Sequence, residues 1–293
     1  MLGVIIVAYK SPKLTIDFIK REMSKIDVPW VCCVVNNAAI EEETQAIAET
    51  TGGEIVNSIT SEILLDKRIY ILPSSENLGF ARGNNYGANF LTMHFKVDYL
   101  LFTNNDIEIK DSTCISTLIR ILDGNKNIGA IGPRIIGLDG KDQLPHDKSV
   151  SIYRQIGWNL LPFLRKKHKT DNNAVSQIRE SGFTYWVQGS FFIMRTEDFL
   201  AVDMFDPNTF LYAEEQILAE KLKKIDKYMY YENSVKVLHY EGGTIVKKHG
   251  TKASYRMGME SNCYYYRKYL HINKFLVWIY KYSFLFNQKI SQQ

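Results

Sequence analysis

Four short apolar runs in the first hundred residues, three of them followed by a helical pattern, constrain this chain most. Val4-Ile5-Ile6-Val7 is β-branched and does not alternate with polar residues, as expected of a strand buried on both faces. Pro12 opens a helical pattern in which Leu14, Phe18, Glu22 and Ile26 share a face, with Ile19 and Met23 beside them. Val31 to Val35 is a second strand. Glu41 to Thr51 is a second helix, acidic in its first turn and closed by Gly52-Gly53. Tyr70-Ile71-Leu72, a helix from Phe80 to Phe95, and a strand from Tyr99 to Phe102 complete the series. Strand and helix in alternation predict an α/β fold: an open, mostly parallel sheet with helices on both faces. Ligands of such sheets bind beyond the carboxyl ends of the strands. The polar tips there are Tyr9-Lys10, Asn36-Asn37, Ser74-Ser75-Glu76-Asn77 and Asn104-Asn105-Asp106, and the topology predicts that they converge on one edge.

The pattern loosens after Asp106. A helix is expected from Ser112 to Leu122, with Ile115, Leu118, Ile119 and Leu122 inward and Gly124 as its stop. Strands follow at Ala130 to Ile136, Tyr185 to Met194 and Val235 to Leu238, and Phe210 to Ile225 leads into an amphipathic helix. Gln143 to Gln177, weakly periodic and carrying Arg165-Lys166-Lys167-His168-Lys169, reads as a mobile loop region. With 293 residues, 45% hydrophobic and 23% charged, the chain can bury one large domain plus an appendage. Cys32, Cys33, Cys114 and Cys263 form no CxxC pair, so they read as reduced thiols of a cytoplasmic protein. Leu2 to Ala8 suits a first strand rather than a leader, so secretion is not expected.

Charge is unevenly spread. Val246 to Gln293 holds nine Lys/Arg and one acid, Glu260, while the remainder is mildly acidic. The apolar run Phe275 to Phe286 is interrupted by Lys281 and is too short to span a bilayer. Its aromatics and cations suit either an interfacial helix on anionic lipid or a helix packed on the core or in a homodimer. Nucleic acid is not an expected partner, because the positive charge is confined to the tail and no recognition motif accompanies it.

Four groups of residues could carry chemistry. Asp106 ends a hydrophobic strand at the ligand edge, where it could bind a hard divalent cation or merely close an Asx turn. Glu214-Glu215 opens a helix after Phe210-Leu211-Tyr212-Ala213. Acid there commonly compensates the helix dipole, but a carboxylate facing a cleft could act as a base. His239 ends a strand just before Tyr240-Glu241-Gly242-Gly243-Thr244, where glycines allow close approach of a ligand. The stretch Glu76 to Gly87, ENLGFARGNNYG, offers backbone N–H groups and Arg82 to an anion. No GxGxxG follows the first strand and no GxxxxGK[ST] occurs, which argues against a dinucleotide dehydrogenase or a P-loop enzyme.

The order of these motifs resembles a family 2 glycosyltransferase of GT-A fold, nearest to the bacterial rhamnosyltransferase-like branch. The markers are VIIVAYK, VVNNA, ENLGFARGNNYG, TNNDIEI, GSFFIMR, FLYAEEQILAEKL and HYEGGT, spanning about Met1 to Thr244. The resemblance implies a transferase domain over residues 1–245, with a nucleotide-binding half to about residue 110 and an acceptor and catalytic half after it. Residues 246–293 would be a helical extension. It places Ala8 and Tyr9 at the base pocket, with Asn36 where the family usually has an Asp. Asn77, Gly79, Arg82 and Asn85 would border the nucleotide and sugar. Asn104-Asn105-Asp106 stands for the DxD motif, with Asp106 and His239 on Mg2+ or Mn2+. Glu215 matches the catalytic base, supported by Glu214, and Trp186, Gly189 and Ser190 match the acceptor floor.

The activity so implied is inverting transfer of a sugar, with dTDP-rhamnose favoured over a UDP-hexose, to a glycan or lipid-linked acceptor in bacterial surface polysaccharide synthesis. It would take place in the cytoplasm, at the inner face of the membrane if the tail lies on lipid. Several positions depart from the family pattern: Asn36 and Asn104 lack a carboxylate, Glu215 is one methylene longer than the usual Asp, and Ile217 replaces a commonly acidic residue. A degenerate, sugar-binding or scaffolding domain is therefore the alternative. A nucleotidyltransferase would need a glycine-rich basic loop after the first strand, where Ala8-Tyr9-Lys10-Ser11-Pro12 stands.

Overall fold

The structure, a computed structural model, describes residues 1–149, 151–161, 179–240 and 251–290. Ten described strands form one sheet, in the order β3-β4-β2-β1-β5-β9-β7-β10-β6 with β8 also paired to β10. The strands are β1 (Leu2–Tyr9), β2 (Trp30–Asn37), β3 (Glu54–Ile55), β4 (Ile69–Ser74), β5 (Tyr99–Thr103), β6 (Ile107–Ile109), β7 (Ile128–Gly137), β8 (Gly182–Thr184), β9 (Phe191–Arg195) and β10 (Tyr228–His239). β3, β4, β2, β1 and β5 are mutually parallel; β9 then runs antiparallel to both β5 and β7.

The lack of alternation in β1 and β2 has a direct cause. Val4, Ile6 and Ala8 enter one apolar cluster, while Ile5, between them, enters the other. In β2, Cys32 and Val34 face the first cluster and Val31, Cys33 and Val35 the second. Both faces are therefore covered. Helices α1 (Pro12–Glu22), α2 (Glu41–Thr51) and α4 (Cys114–Gly124) fill the first side, and α3 (Gly79–His94) the second. Gly87 in α3 lies so close to β1 that a Cβ there would sit 2.8 Å from Ile5. All four cysteines are free thiols; three are buried and Cys263 is half-buried.

Several expectations need correction. In α1 the buried residues are Thr15, Phe18, Ile19 and Glu22, whereas Leu14 is exposed. Glu22 turns inward because its carboxylate accepts the Ile109 N–H (2.7 Å) and binds Lys25. The apolar run Tyr185 to Met194 is not one strand. Only Phe191–Arg195 is, because Trp186 bridges His146 and the chain bends before Phe191. The final strand is twelve residues long rather than four, with a pairing irregularity between Glu232 and Lys236. Within the segment read as a loop, α5 (Ile152–Leu160) is a helix; it packs on the tail through Ile152 and the Asn159–Ser283 hydrogen bond (3.0 Å). Arg165 to Lys169 and Glu241 to Thr244 lie outside the described residues.

Four further helices follow: α6 (Thr196–Ala201), α7 (Glu214–Lys223) and the tail pair α8 (Thr251–Lys268) and α9 (Lys274–Ile290). Ala213 and Ile217 of the α7 region, Ile152 of α5, and Met259, Tyr265, Tyr266, Val277 and Tyr280 of the tail share a third apolar cluster. Among the described residues no helix is long and apolar enough to cross a membrane.

Candidate active site

β5 ends at Thr103 and the chain turns at once into β6, which returns along β10. The turn buries Asp106, and the pairing of Ile107 with His239 brings the histidine alongside. Asp106 Oδ1 lies 3.2 Å from His239 Nε2, and neither atom has a hydrogen-bond partner. On the far side of the ring, Gln143 Oε1 lies 2.9 Å from Nδ1. An amide oxygen only accepts, so Nδ1–H is the donor to Gln143 and Nε2 is the ring nitrogen that faces the carboxylate.

Two buried lone-pair donors aimed at each other fit a shared cation. Neighbouring ligands on an octahedral ion with ~2.1 Å bonds are about 3 Å apart. No third His, Cys, Asp or Glu joins them among the described residues. Such a pair fits an ion that completes its shell with water and substrate phosphate, the usual habit of Mg2+. Gln143, which sequence reasoning missed, gives no motif signal of its own. It reaches His239 because the chain doubles back after β7, pinned by the two hydrogen bonds from Arg134 to Asp142 (2.6 and 3.0 Å) and by Gln143 N–H to Ile135 O (2.8 Å).

His239 also lines a cavity of about 660 Å3 that brings together Asn104, Trp186, Gly189, Ser190, Glu214 and Glu215. Asn104 is tied to this floor by its N–H to Ser190 O (2.9 Å). Gly189 makes room for Glu215 as it stands: a Cβ at that position would lie 2.0 Å from Glu215 Oε1. The Gly189 N–H instead donates to the Glu215 carboxylate, which opposes the rise in pKa that burial imposes. Glu214 is buried with Oε1 unpartnered, and burial, then the neighbouring Glu215, push its pKa up. Tyr212 (φ 74°) and Ala213 (φ 68°) are both left-handed without being glycine, so the turn that launches α7 is strained.

Helix α8 braces that turn. Ser261 Oγ–H donates to Leu211 O (2.8 Å), and Gly258 leaves room for the Tyr212 ring, 3.3 Å from where a Cβ would be. The tail also completes the cavity wall with Tyr255, Asn262, Tyr280 and Phe284, together with Gln155 and Trp158 of α5. Neither tail nor α5 residues stood out as site residues in the sequence.

Asp106 itself lies behind His239, outside this cavity lining, and so do the other predicted residues. Ala8 is buried and Tyr9 half-buried at the end of β1. Asn36 is buried and donates to Thr44 Oγ1 (3.1 Å). Asn77 accepts the Gly79 N–H (3.0 Å), and Gly79 (φ 73°) sits against Phe210 O, where a Cβ would lie at 2.2 Å. Through that contact the ENLGF and FLYAEE segments meet. Arg82 is exposed, 3.6 Å from Glu76. Asn85 spends its amide on Phe205, accepting its N–H (3.0 Å) and donating to its carbonyl (2.8 Å). Asn105 turns toward α1, donating to Ser11 Oγ and Thr15 Oγ1, both at 2.9 Å.

The sequence model of one family, "Glycosyl transferase family 2", matches residues 3–182, more than half of the chain. The chain belongs to that family. A curated relative, "Rhamnosyltransferase WbbL" of Escherichia coli (strain K12), is 27% identical over 165 residues, 55% of this chain and 61% of that protein. The match therefore spans less than two thirds of the relative. Among solved structures, the chain resembles a mannosyltransferase, PcManGT of Pyrobaculum calidifontis, in complex with GDP-Man and Mn2+ (TM-score 0.58, 12% identity, 98% of this chain and 73% of that one). It also resembles residues 1–349 of S. aureus TarS (TM-score 0.51, 14% identity, 97% and 70%). At such identities the likeness concerns the fold, which is of GT-A type.

Proposed function

We propose that this family 2 chain is an inverting, metal-dependent glycosyltransferase. The single observation that carries the reading is that His239, whose Nε2 lies 3.2 Å from the buried Asp106 Oδ1, and Glu215 line one cavity of about 660 Å3, ample for a sugar ring. Asp106 and His239 would hold Mg2+ or Mn2+, an assignment in keeping with the Mn2+ named for the mannosyltransferase neighbour. When bound, the cation neutralises charge on the departing nucleoside diphosphate.

The chain's own residues do the rest. Glu215 accepts the proton of the acceptor hydroxyl as that oxygen bonds to C1 of the donor sugar and the bond from C1 to the diphosphate oxygen breaks. Burial favours this role, because it lifts the carboxylate toward working pH. Gly189 N–H orients the base, Glu214 supports it, and Trp186, Gly189 and Ser190 floor the acceptor. Ala8, Tyr9 and Asn36 border the base, and Asn77, Gly79, Arg82, Asn85, Asn104 and Asn105 the ribose, diphosphate and sugar. Several of these act by shaping the loops, since Asn36, Asn85 and Asn105 already spend side-chain N–H groups on the protein. The rhamnosyltransferase relative favours dTDP-rhamnose as donor. The acceptor is read as a glycan or lipid-linked saccharide of a bacterial surface polysaccharide, bound between the 1–245 body and the 246–293 extension.

The test is a thermal-shift screen of dTDP- and UDP-sugars with and without Mn2+, followed by turnover, since a ligand of the native state raises the midpoint. Asp106→Ala is expected to abolish the Mn2+-dependent part of the shift. Glu215→Gln should keep the shift and lose ~10²–10⁴-fold in rate. An unchanged Mn2+ dependence in Asp106→Ala rejects the metal site. Full turnover in Glu215→Gln rejects the base. Binding without any turnover in the native sequence would mark a sugar-binding domain instead.

A further inference from the structure

Helix α9 has two apolar faces, and among the described residues only one of them is packed on the fold. Val277, Tyr280 and Ser283 are buried against the body, and Tyr280 and Phe284 line the cavity that holds Glu215. On the other side Phe275 (67% exposed), Trp278 (52%), Tyr282 (55%), Leu285 (37%) and Phe286 (52%) face solvent. At about 100° per residue these five fall within an arc of roughly 100°. Their rings touch: Phe275 stacks on Trp278 (centroids 6.0 Å apart), and Trp278 packs on Tyr282 (4.3 Å). Single exposed apolar side chains are ordinary, but a contiguous aromatic stripe marks an interaction surface.

We infer that this face of α9 docks on an anionic lipid surface, with the helix lying in the plane of the interface. Charge decides the occupant. α9 contains no acidic residue, and the exposed Lys274 and Lys281 lie next to the aromatic arc, beyond Leu285. A second copy of the chain packed isologously on this face would set lysines against lysines with no α9 carboxylate between them. An anionic headgroup layer pairs with those same lysines, while Trp and Tyr settle at the headgroup level and Phe below it. The helix is too short and interrupted to span the bilayer, in keeping with an in-plane seat. Because the inner side of the same helix walls the cavity, docking holds that cavity within about one helix diameter, ~10 Å, of the lipid. An acceptor saccharide carried on a lipid would then reach Glu215 without leaving the surface; that last step rests on the glycosyl-transfer reading, while the docking does not.

The experiment uses the full chain and sedimentation with vesicles of phosphatidylcholine alone, or mixed with phosphatidylglycerol. The native chain should sediment with the mixed vesicles, and less as salt rises. Lys274→Glu/Lys281→Glu should weaken this about tenfold or more. Trp278→Ser/Phe286→Ser should abolish it, and both variants should retain the native thermal midpoint because the changed side chains are exposed. Failure of the native chain to bind mixed vesicles, or binding that neither double variant reduces, would overturn the proposal. So would a dimer, seen by light scattering, that dissociates in Trp278→Ser/Phe286→Ser, since the face would then belong to a second copy. Neither arm uses a nucleotide sugar, so a failed docking test is distinct from a failed transferase assignment.

Discussion

Gln143 Oε1 holds the proton of His239 on Nδ1 and thereby leaves Nε2 free to face Asp106. Replacing this amide with the near-isosteric Gln143→Leu removes the acceptor but little volume. The ring can then adopt either tautomer and rotate, and the Mn2+ affinity should fall about 10–100-fold, the usual effect of losing an outer partner of a ligating histidine. Calorimetric titration of Mn2+ into the protein without donor checks this independently of turnover; unaltered affinity would leave Gln143 with a packing role only. Asp106, Glu215 and His239 stand out in the sequence as candidates because each lies just after or at the end of a strand, or at the start of a helix, at the ligand edge. Gln143 was not, because it occupies an irregular segment whose path is set by Arg134 and Asp142. Nor was the reason for Gly189. A glycine in an apolar run gives no hint that a carboxylate 26 positions later will occupy the space of its missing Cβ.

At the scale of elements, the strained Tyr212–Ala213 turn survives because α8 grips the loop that precedes it. Asp206, just upstream, is the anchor. Its Oδ2 accepts from Tyr264 (2.8 Å), Lys268 (3.1 Å) and Tyr269, all at the end of α8 or just beyond it. Asp206→Ala strips those donors of a common partner. Backbone hydrogen exchange should rise in 206–213 and in the second half of α8, and the thermal midpoint should fall by several degrees, at roughly 2–4 °C per kcal/mol for a domain of this size. Protection unchanged in both segments would show that the third apolar cluster alone seats the tail. None of this could be read from sequence, since the partners are some sixty residues apart and Asp206 belongs to no motif. The parallel half of the sheet was legible, because strands buried on both faces announce themselves. The antiparallel half was less so: β8 and β6 are three residues each, and the run from Tyr185 breaks where the chain bends to present Gly189.

Over the whole molecule, buried carboxylates pull stability in opposite directions as pH changes. Burial alone would raise the pKa of Asp206, but hydrogen bonds from Tyr269, Asn208 and Tyr264 outweigh it and hold the carboxyl well below the usual range. Its contribution is therefore present above the unfolded value of about 3.9 and is lost as pH falls through the depressed native value. Glu214 and Glu215 behave oppositely. Burial raises both, Glu214 also under the charge of its neighbour, so the native state holds protons that the unfolded chain has released. From about pH 4.3 upward this pair costs stability, increasingly so until pH passes their raised native values. Glu214→Gln removes one of the two charges that must be buried. The variant should match the native chain near pH 4 and exceed it in thermal midpoint at pH 8, a difference that calorimetric scans across that range measure directly. A variant less stable than the native chain at pH 8 would mean that Glu214 is stabilising as a carboxylate and that burial does not dominate its environment. On the proposed mechanism, the same displacement that weakens the fold would poise Glu215 as a base. In an active chain the acid limb of the turnover profile should therefore lie above the ordinary carboxylate range, where the stability of the native protein is already declining.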